Sequence, residues 1–333
     1  MVEPLPISPR LIGMLHVPVN TLLASPAAWR VATDIPSPGR QDWEVLGRLP
    51  QPEPAESSHG CRCMEAVGNE LVRLSFWPWL AQRVLSEAAA YLAAGFDALM
   101  LENVAAPYFV RGEQPPVIYW LMRALAERLR AEYPDTTIGI QVLAYSDDWA
   151  MDIASRCGLD FIRCESALFE GVRPEGRTPN CGNLAKLYMA RQMLLAELSG
   201  DRPEPQVYVD IHKKHTVFPE ELDSLEVWLD NIVFQKLEGI VITGKATGKP
   251  VEEDDLSRAR DAIEKAKSES QAAVGVAWAP PLIVGSGASV DNIGTCKRYA
   301  DAVIVGSSLK KNGYWECPLD EERVRRFMDA WSK

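Results

Sequence analysis

Residues 281–311 read PLIVGSGASVDNIGTCKRYADAVIVGSSLKK. Two short apolar runs, Leu282–Val284 and Ala302–Val305, predict buried strands. Each runs into a turn of small residues: Gly285-Ser286-Gly287 after the first, Gly306-Ser307-Ser308 after the second. Between them the pattern predicts a helix from about Val290 to Tyr299, with Ser289 as its N-cap and Asp291 in its first turn. Glycine leaves backbone N–H groups bare and lets a ligand come close. A helix N-terminus beside them adds partial positive charge. The pair of turns therefore suits an anion, phosphate above all, with Gly285, Ser286, Gly287, Gly306 and Ser307 as the phosphate-binding residues. A single Gly-Ser-Gly reads as a tight turn and no more. Two consecutive strand–glycine turns favour the ligand.

Working outward, the same grammar repeats along the chain. Strand runs are predicted at Leu11–His16, Ala98–Leu101, Ile138–Leu143, Phe161–Cys164, Val207–Ile211 and Gly239–Ile242. Helices are predicted at about Pro78–Ala94, Val117–Glu132, Asp148–Cys157, Leu184–Leu198, Leu222–Lys236, Asp254–Ser270 and Asp320–Trp331. The strands are apolar without polar alternation, as expected when both faces are buried. Eight strands alternating with eight helices predict an α/β protein, a single (β/α)8 TIM barrel over residues 1–333. A doubly wound open sheet is the rival. Glycine turns after units 7 and 8 favour the closed barrel, whose phosphate sites fall there. One segment breaks the rhythm: residues 19–76, rich in Pro, Ser and Gly, form a long insert after strand 1, read as partly disordered or lid-like. Within it, Asn69–Phe76 reads as a short extra strand.

Composition narrows the function classes. The chain has 333 residues, 47% hydrophobic and 24% charged, which fits a globular protein with a full core. The net charge of −11 comes without a basic run, which argues against nucleic acid as the partner. Seven scattered cysteines read as free thiols, not a disulfide framework. No apolar run reaches the ~18 residues that would span a membrane. The N-terminal residues show neither a signal-peptide nor a transit-peptide pattern, so the expected location is the cytoplasm.

In a barrel, chemistry sits where strands end. Those ends are His16, Glu102-Asn103, Gln141, Cys164-Glu165, Asp210 with His212, Lys214 and His215, and Thr243-Gly244. Of the four histidines, His16, His212 and His215 fall here and only His59 does not. A lone histidine is usually a satisfied structural residue; three at one rim point to function. If the pleat persists, Asp210, His212 and Lys214 point to one side. A carboxylate beside an imidazole sets its tautomer and raises its basicity, which suits acid/base work. A lysine there neutralises phosphate or forms a Schiff base. A solvated charge run after a strand is the bland alternative. The cofactor stays open: no nucleotide-cofactor motif occurs. His16, Glu102, Asp210 and His212 are metal ligands in kind, but their spacing is not diagnostic.

Six stretches carry a family resemblance: IGMLHVP at 12–18, ENVAAPY at 102–108, VDIHKKH at 209–215, IVITGKATGKP at 240–250, LIVGSGASVDNI at 282–293 and DAVIVGSSLKKNG at 301–313. In order along nearly the whole chain, they resemble the BtpA family, named for a photosystem I biogenesis protein. The resemblance implies a barrel of the ribulose-phosphate-binding type. It implies a rim made of His16, Glu102, Asn103, Asp210, His212, Lys214, His215, Thr243, Gly244, Thr247 and Gly248, together with the glycine turns. Two features depart from the family pattern: the long insert, and Gln141 and Glu165 where asparagines are usual.

The expectation is an enzyme acting on a phosphorylated small molecule, a sugar phosphate or nucleotide-like compound. Asp210, His212, Lys214, Glu102 and His16 are its catalytic candidates, and Asn103, His215, Thr243, Gly244, Thr247 and Gly248 its ligand contacts. The alternative is a non-catalytic assembly or stability factor that uses the barrel as a scaffold. No nucleic-acid or membrane-inserted partner is expected, and the sequence leaves a homo-oligomer open.

Overall fold

The computed structural model describes residues 10–18, 67, 70–71, 73–104, 115–165, 167–173, 176–177, 184–198, 204–211, 216–244, 250–275 and 277–333. Eight parallel strands close into a barrel. They are β1 (Arg10–Val17), β2 (Ala98–Asn103), β3 (Thr137–Gln141), β4 (Phe161–Cys164), β5 (Gln206–Ile211), β6 (Gly239–Ile242), β7 (Leu282–Val284) and β8 (Ala302–Val305). They are hydrogen-bonded in chain order, and β8 returns to pair with β1. The helices α1 (Trp77–Ala93), α2 (Pro116–Glu132), α3 (Asp147–Cys157), α4 (Leu184–Glu197), α5 (Leu225–Gln235), α6 (Glu253–Val274), α7 (Ile293–Tyr299) and α8 (Glu321–Trp331) alternate with them. This is the (β/α)8 barrel that the sequence predicts.

Alternation along each strand sorts residues between two cores. Leu11, Leu99, Ile138, Ile162 and Val207 join the large cluster that packs under the helices. Ile12, Met14, Ala98, Met100, Phe161, Tyr208, Val241, Ile283, Ala302 and Ile304 fill the barrel itself. Two glycines admit its bulkiest members. A Cβ on Gly139 would lie 2.1 Å from the Phe161 ring, and one on Gly239 would lie 2.4 Å from Tyr208. Phe161 and Tyr208 stack in the space so left, centroids 4.9 Å apart. Continuing the inward alternation upward leads to the mouth: His16 on β1, Glu102 on β2, Gln141 on β3, Arg163 on β4, Asp210 on β5.

Helix ends follow local chemistry. Asp320 caps α8, accepting from the N–H groups of Glu322 and Arg323 at 3.1 and 3.2 Å, a cap worth ~1 kcal/mol. α3 stops at Gly158, whose φ of +66° is the left-handed conformation that closes a helix.

Four local expectations need correction. The described residues of Asn69–Phe76 form no strand: residues 70–71 are helical and 73–76 run through turns and a bend. Val67, Leu71 and Leu74 are spaced for one helical face, and all three are buried. β3 ends at Gln141, short of Leu143, because the Asn103 amide takes over the Leu143 backbone. Asn103 Nδ2 donates to Leu143 O at 2.8 Å, and Leu143 N donates to Asn103 Oδ1 at 2.6 Å. α5 starts at Leu225 after a separate 3-10 turn at Glu220–Leu222. α7 starts at Ile293, not Val290, for a reason given below. The insert predicted at 19–76 falls outside the described residues up to position 66, as do the separate positions 68, 69 and 72.

Candidate functional site

At the C-terminal mouth lies a cavity of about 470 Å³, within the range of small-molecule sites. It joins two surfaces in one space. One is backbone-rich: Gly285–Ser286–Gly287 after β7, Gly306–Ser307–Ser308 after β8. The other is made of side chains: His16 from β1, Glu102 from β2 and Arg163 from β4.

The glycine turns work differently from the sequence expectation. Gly285 has no bare N–H; it donates to Ile242 O at 2.7 Å, extending the sheet. What Gly285 supplies is room. A Cβ there would meet Val241 Cγ1 at 2.4 Å and Arg163 Nη2 at 2.9 Å. Gly306 does the same for His16, whose Cε1 would lie 2.6 Å from its Cβ. The bare donors are elsewhere. Among the described residues the N–H groups of Ser286, Gly287, Ser307 and Ser308 donate to no protein acceptor. Ser307 and Ser308 open a 3-10 turn, so their N–H groups lack partners for the usual helix-end reason.

The Val290–Tyr299 expectation fails because Asn292 folds back. Its Nδ2 donates to Gly287 O at 3.0 Å, and its Oδ1 accepts from Ser289 N at 2.8 Å. Residues 289–292 are thereby spent on closing the β7 turn, and α7 has only 7 residues. The predicted helix-dipole contribution is dropped. The two turns are tied to each other by Ser308 Oγ, which donates to Ala288 O at 2.7 Å. Behind the β8 turn, Lys310 is fully buried and ion-paired with Glu87 of α1. Burial lowers the Lys310 pKa against the pull of Glu87.

Arg163 is the residue that sequence reading missed. It is 3% exposed. Its Nε and Nη2 donate to Asp210 Oδ1 at 3.1 and 2.9 Å, and Nη1 donates to Gly285 O at 3.1 Å. Burial alone would lower its pKa. The carboxylates of Asp210, Glu102 and Glu165 outweigh burial and hold the guanidinium above its ordinary value. A signal was available: one arginine inside the apolar run Phe161–Cys164, two residues after an inward Phe161. Asp210 was expected beside His212. In the structure its carboxylate, 1% exposed, meets Arg163 across the β4–β5 pair.

The remaining candidates divide. His16 and Glu102 face each other in register on β1 and β2 and both line the cavity. The Trp315 ring stands 6.4 Å from His16. Asn103 is buried and engaged with the Leu143 backbone. Thr243 and Gly244 are buried at the end of β6, behind the cavity wall. His212, Lys214, His215, Thr247 and Gly248 lie outside the described residues. Among the described residues, no three His, Cys, Asp or Glu side chains gather as a metal site needs, and no helix is long and apolar enough to cross a membrane.

Fold and site together define a (β/α)8-barrel protein with a cavity at its C-terminal rim. The chain belongs to the BtpA family, whose model matches residues 77–333. An uncharacterised protein of Thermococcus kodakarensis is 30% identical over 249 residues, 74% of this chain and 84% of the relative. An uncharacterised mitochondrial protein of Caenorhabditis elegans is 28% identical, covering 75% and 83%. Photosystem I biogenesis protein BtpA of Synechocystis is 29% identical, covering 76% and 79%. Among solved structures, KGPDC from Streptococcus mutans overlaps 74% of this chain and 92% of its own, at 15% identity and a TM-score of 0.43. A phosphoribosyl anthranilate isomerase from Thermus thermophilus overlaps 74% and 94%, at 13% and 0.42.

Proposed function

We propose that this protein is an enzyme acting on a phosphorylated small molecule by acid/base chemistry at the barrel mouth. One observation carries the proposal: a single cavity brings bare backbone donors of two turns together with His16, Glu102 and Arg163. The N–H groups of Ser286, Gly287, Ser307 and Ser308 hold the phosphate, with Gly285 and Gly306 giving the space. Neutral backbone donors suit a dianion because they cost no reorganisation on binding. Glu102 and His16, adjacent in register, exchange protons with the substrate. Arg163 is held by Asp210 and stabilises negative charge that develops beside it. His212 and Lys214, which follow directly on β5, add a second acid/base group and a cation, and His215, Thr247 and Gly248 complete the ligand contacts. A sugar phosphate or a nucleotide-like compound fits this division of labour.

A non-catalytic assembly factor is the second reading, favoured by the name of the Synechocystis relative. A turnover screen separates the two. Purified protein is incubated with a library of phosphorylated metabolites, and products are followed by mass spectrometry. The proposal expects one class to be consumed, with Glu102→Gln slowing turnover at least 100-fold while binding persists. Binding without turnover in the wild type rejects the enzyme reading and favours the assembly factor.

A further inference from the structure

The cavity wall carries one carboxylate that the phosphate-site reading leaves unused. Asp291 lines the cavity next to Ser289 and Asn292, and it is exposed, so a ligand in the cavity can reach it. Its backbone is fixed. Asp291 N donates to Ser289 Oγ at 3.3 Å, and the neighbouring Asn292 side chain is tied to Ser289 N and Gly287 O. Its carboxylate is not fixed. Among the described residues the carboxylate makes no hydrogen bond and no ion pair.

The charges around the cavity give this residue a meaning. Among the described residues the lining side chains include two carboxylates, Glu102 and Asp291, and one permanent cation, Arg163. The cation is already matched: it donates to Asp210 Oδ1 and to Gly285 O. The bare donors of the two turns are neutral N–H groups. Away from those donors, the described wall is therefore rich in acceptors and negative in charge. An ionised carboxylate can only accept hydrogen bonds. A ligand body bearing hydroxyls meets such a wall with its donors, whereas a second acidic group meets repulsion. An acid just before a helix can also serve the helix dipole alone, and that role predicts a different outcome below.

Resting on the phosphate-site reading above, we propose that Asp291 is a specificity-determining residue. Its carboxylate accepts from a hydroxyl on the body of the phosphorylated ligand, and it turns away phosphorylated compounds that carry a second acidic group. The substrate class narrows to sugar phosphates with free hydroxyls and no carboxylate. A hydrogen bond to an ionised acceptor is roughly twice as strong as a neutral one, so a single contact suffices to discriminate. The side chain is free to make it, because no bond of the described fold has to break first.

The test is calorimetric titration of the full chain at low salt with three kinds of probe. They are methyl phosphate, a panel of five- and six-carbon sugar phosphates, and phosphoglycolate, which adds a carboxylate to the phosphate. The proteins are the wild type, Asp291→Asn and Asp291→Ala, with Tm recorded for each. In the wild type, some sugar phosphate binds about tenfold or more tightly than methyl phosphate. Phosphoglycolate binds about threefold more weakly than methyl phosphate, and added salt narrows that gap. Asp291→Ala removes about tenfold of the sugar-phosphate gain. Asp291→Asn, which keeps one acceptor oxygen, removes less. Both variants tighten phosphoglycolate and leave methyl phosphate within about twofold of the wild type. A lowered Tm with unchanged selectivity, as a helix-dipole role predicts, overturns the inference. So does a sugar-phosphate gain that Asp291→Ala retains, or phosphoglycolate binding the wild type as tightly as the best sugar phosphate. Methyl phosphate binding with no gain for any sugar phosphate overturns this inference alone. If none of the probes binds, the phosphate-site reading itself fails.

Discussion

The two sides of the barrel mouth are built on opposite plans. On the β7–β8 side the cavity is lined by backbone N–H groups without protein acceptors among the described residues, and the side chains are small. On the β1–β5 side the groups are a layer of side chains: His16, half-buried Glu102, and the buried ion pair of Arg163 and Asp210. The glycines belong to both plans at once. Gly285 and Gly306 sit in the backbone turns, yet the atoms that need their missing Cβ are Arg163 and His16. The backbone side is therefore also the mould in which the side-chain side is cast. An ion pair buried in such a layer is weak evidence for stability but good evidence for fixed geometry.

The comparison breaks most visibly at Arg163. Arg163→Met removes the buried guanidinium that donates to Asp210 and to Gly285 O, so unfolding in urea should show a loss of about 3–5 kcal/mol. The double variant Arg163→Met with Asp210→Leu should recover much of that loss. A single variant within ~1 kcal/mol of the wild type would mean that the pair is not what holds the layer. Next is Gly306→Ala. Its methyl collides with the His16 ring, which should cost about 1–3 kcal/mol and shift the His16 imidazole resonances in NMR. Unmoved His16 signals would separate the two sides that Gly306 is argued to join.

Smaller effects sharpen the picture. Ser308→Ala removes the hydroxyl link to Ala288 O. It should cost ~1 kcal/mol in denaturant titration while leaving the Arg163–Asp210 side untouched. The last effect to appear is titration. Burial pushes the Cys296 thiol up to about 11 and also raises Tyr91, with Glu87 adding to it. A folded-state pKa above the unfolded one contributes stability that is intact below the unfolded pKa and lost as pH climbs through the folded one. The thiol contribution should therefore begin to fade above about pH 8.5 and the tyrosine contribution above about pH 10. Denaturant midpoints that stay flat up to pH 11 would contradict both assignments.

The two sides also differ in how far the sequence discloses them. The barrel was legible because its strands are short apolar runs at regular intervals. Phe161–Cys164, Gly239–Ile242, Leu282–Val284 and Ala302–Val305 fall where the composition puts them. The glycine turns were legible as a place but not as a mechanism. That Gly285 makes room for Arg163, 122 positions away in the chain, is a packing fact with no local signature. The Arg163–Asp210 pair was missed for the same reason, although alternation from Phe161 predicts an inward residue 163. The Asn292 fold-back was hidden because Ser289 looks like a good N-cap. Ser289 Oγ does accept from Asp291 N at 3.3 Å, as a cap would, but the Asn292 side chain bonds both Ser289 N and Gly287 O and sets the turn. Asp291 was visible as an acid near a helix start, but its place on the cavity wall appears only once the turn is folded.

The central claim is that one cavity joins a phosphate-holding backbone to a charged floor. Thermal denaturation of the wild type and of Ser286→Asp, each with a panel of phosphorylated small molecules, tests it most directly. A ligand at 100 times its Kd stabilises by ~2.7 kcal/mol if it binds only the folded state. The account predicts that some phosphorylated compound raises the wild-type Tm, and that the aspartate beside the bare donors abolishes the shift in a protein that remains folded. No shift with any phosphorylated compound, or an equal shift in Ser286→Asp, would contradict it.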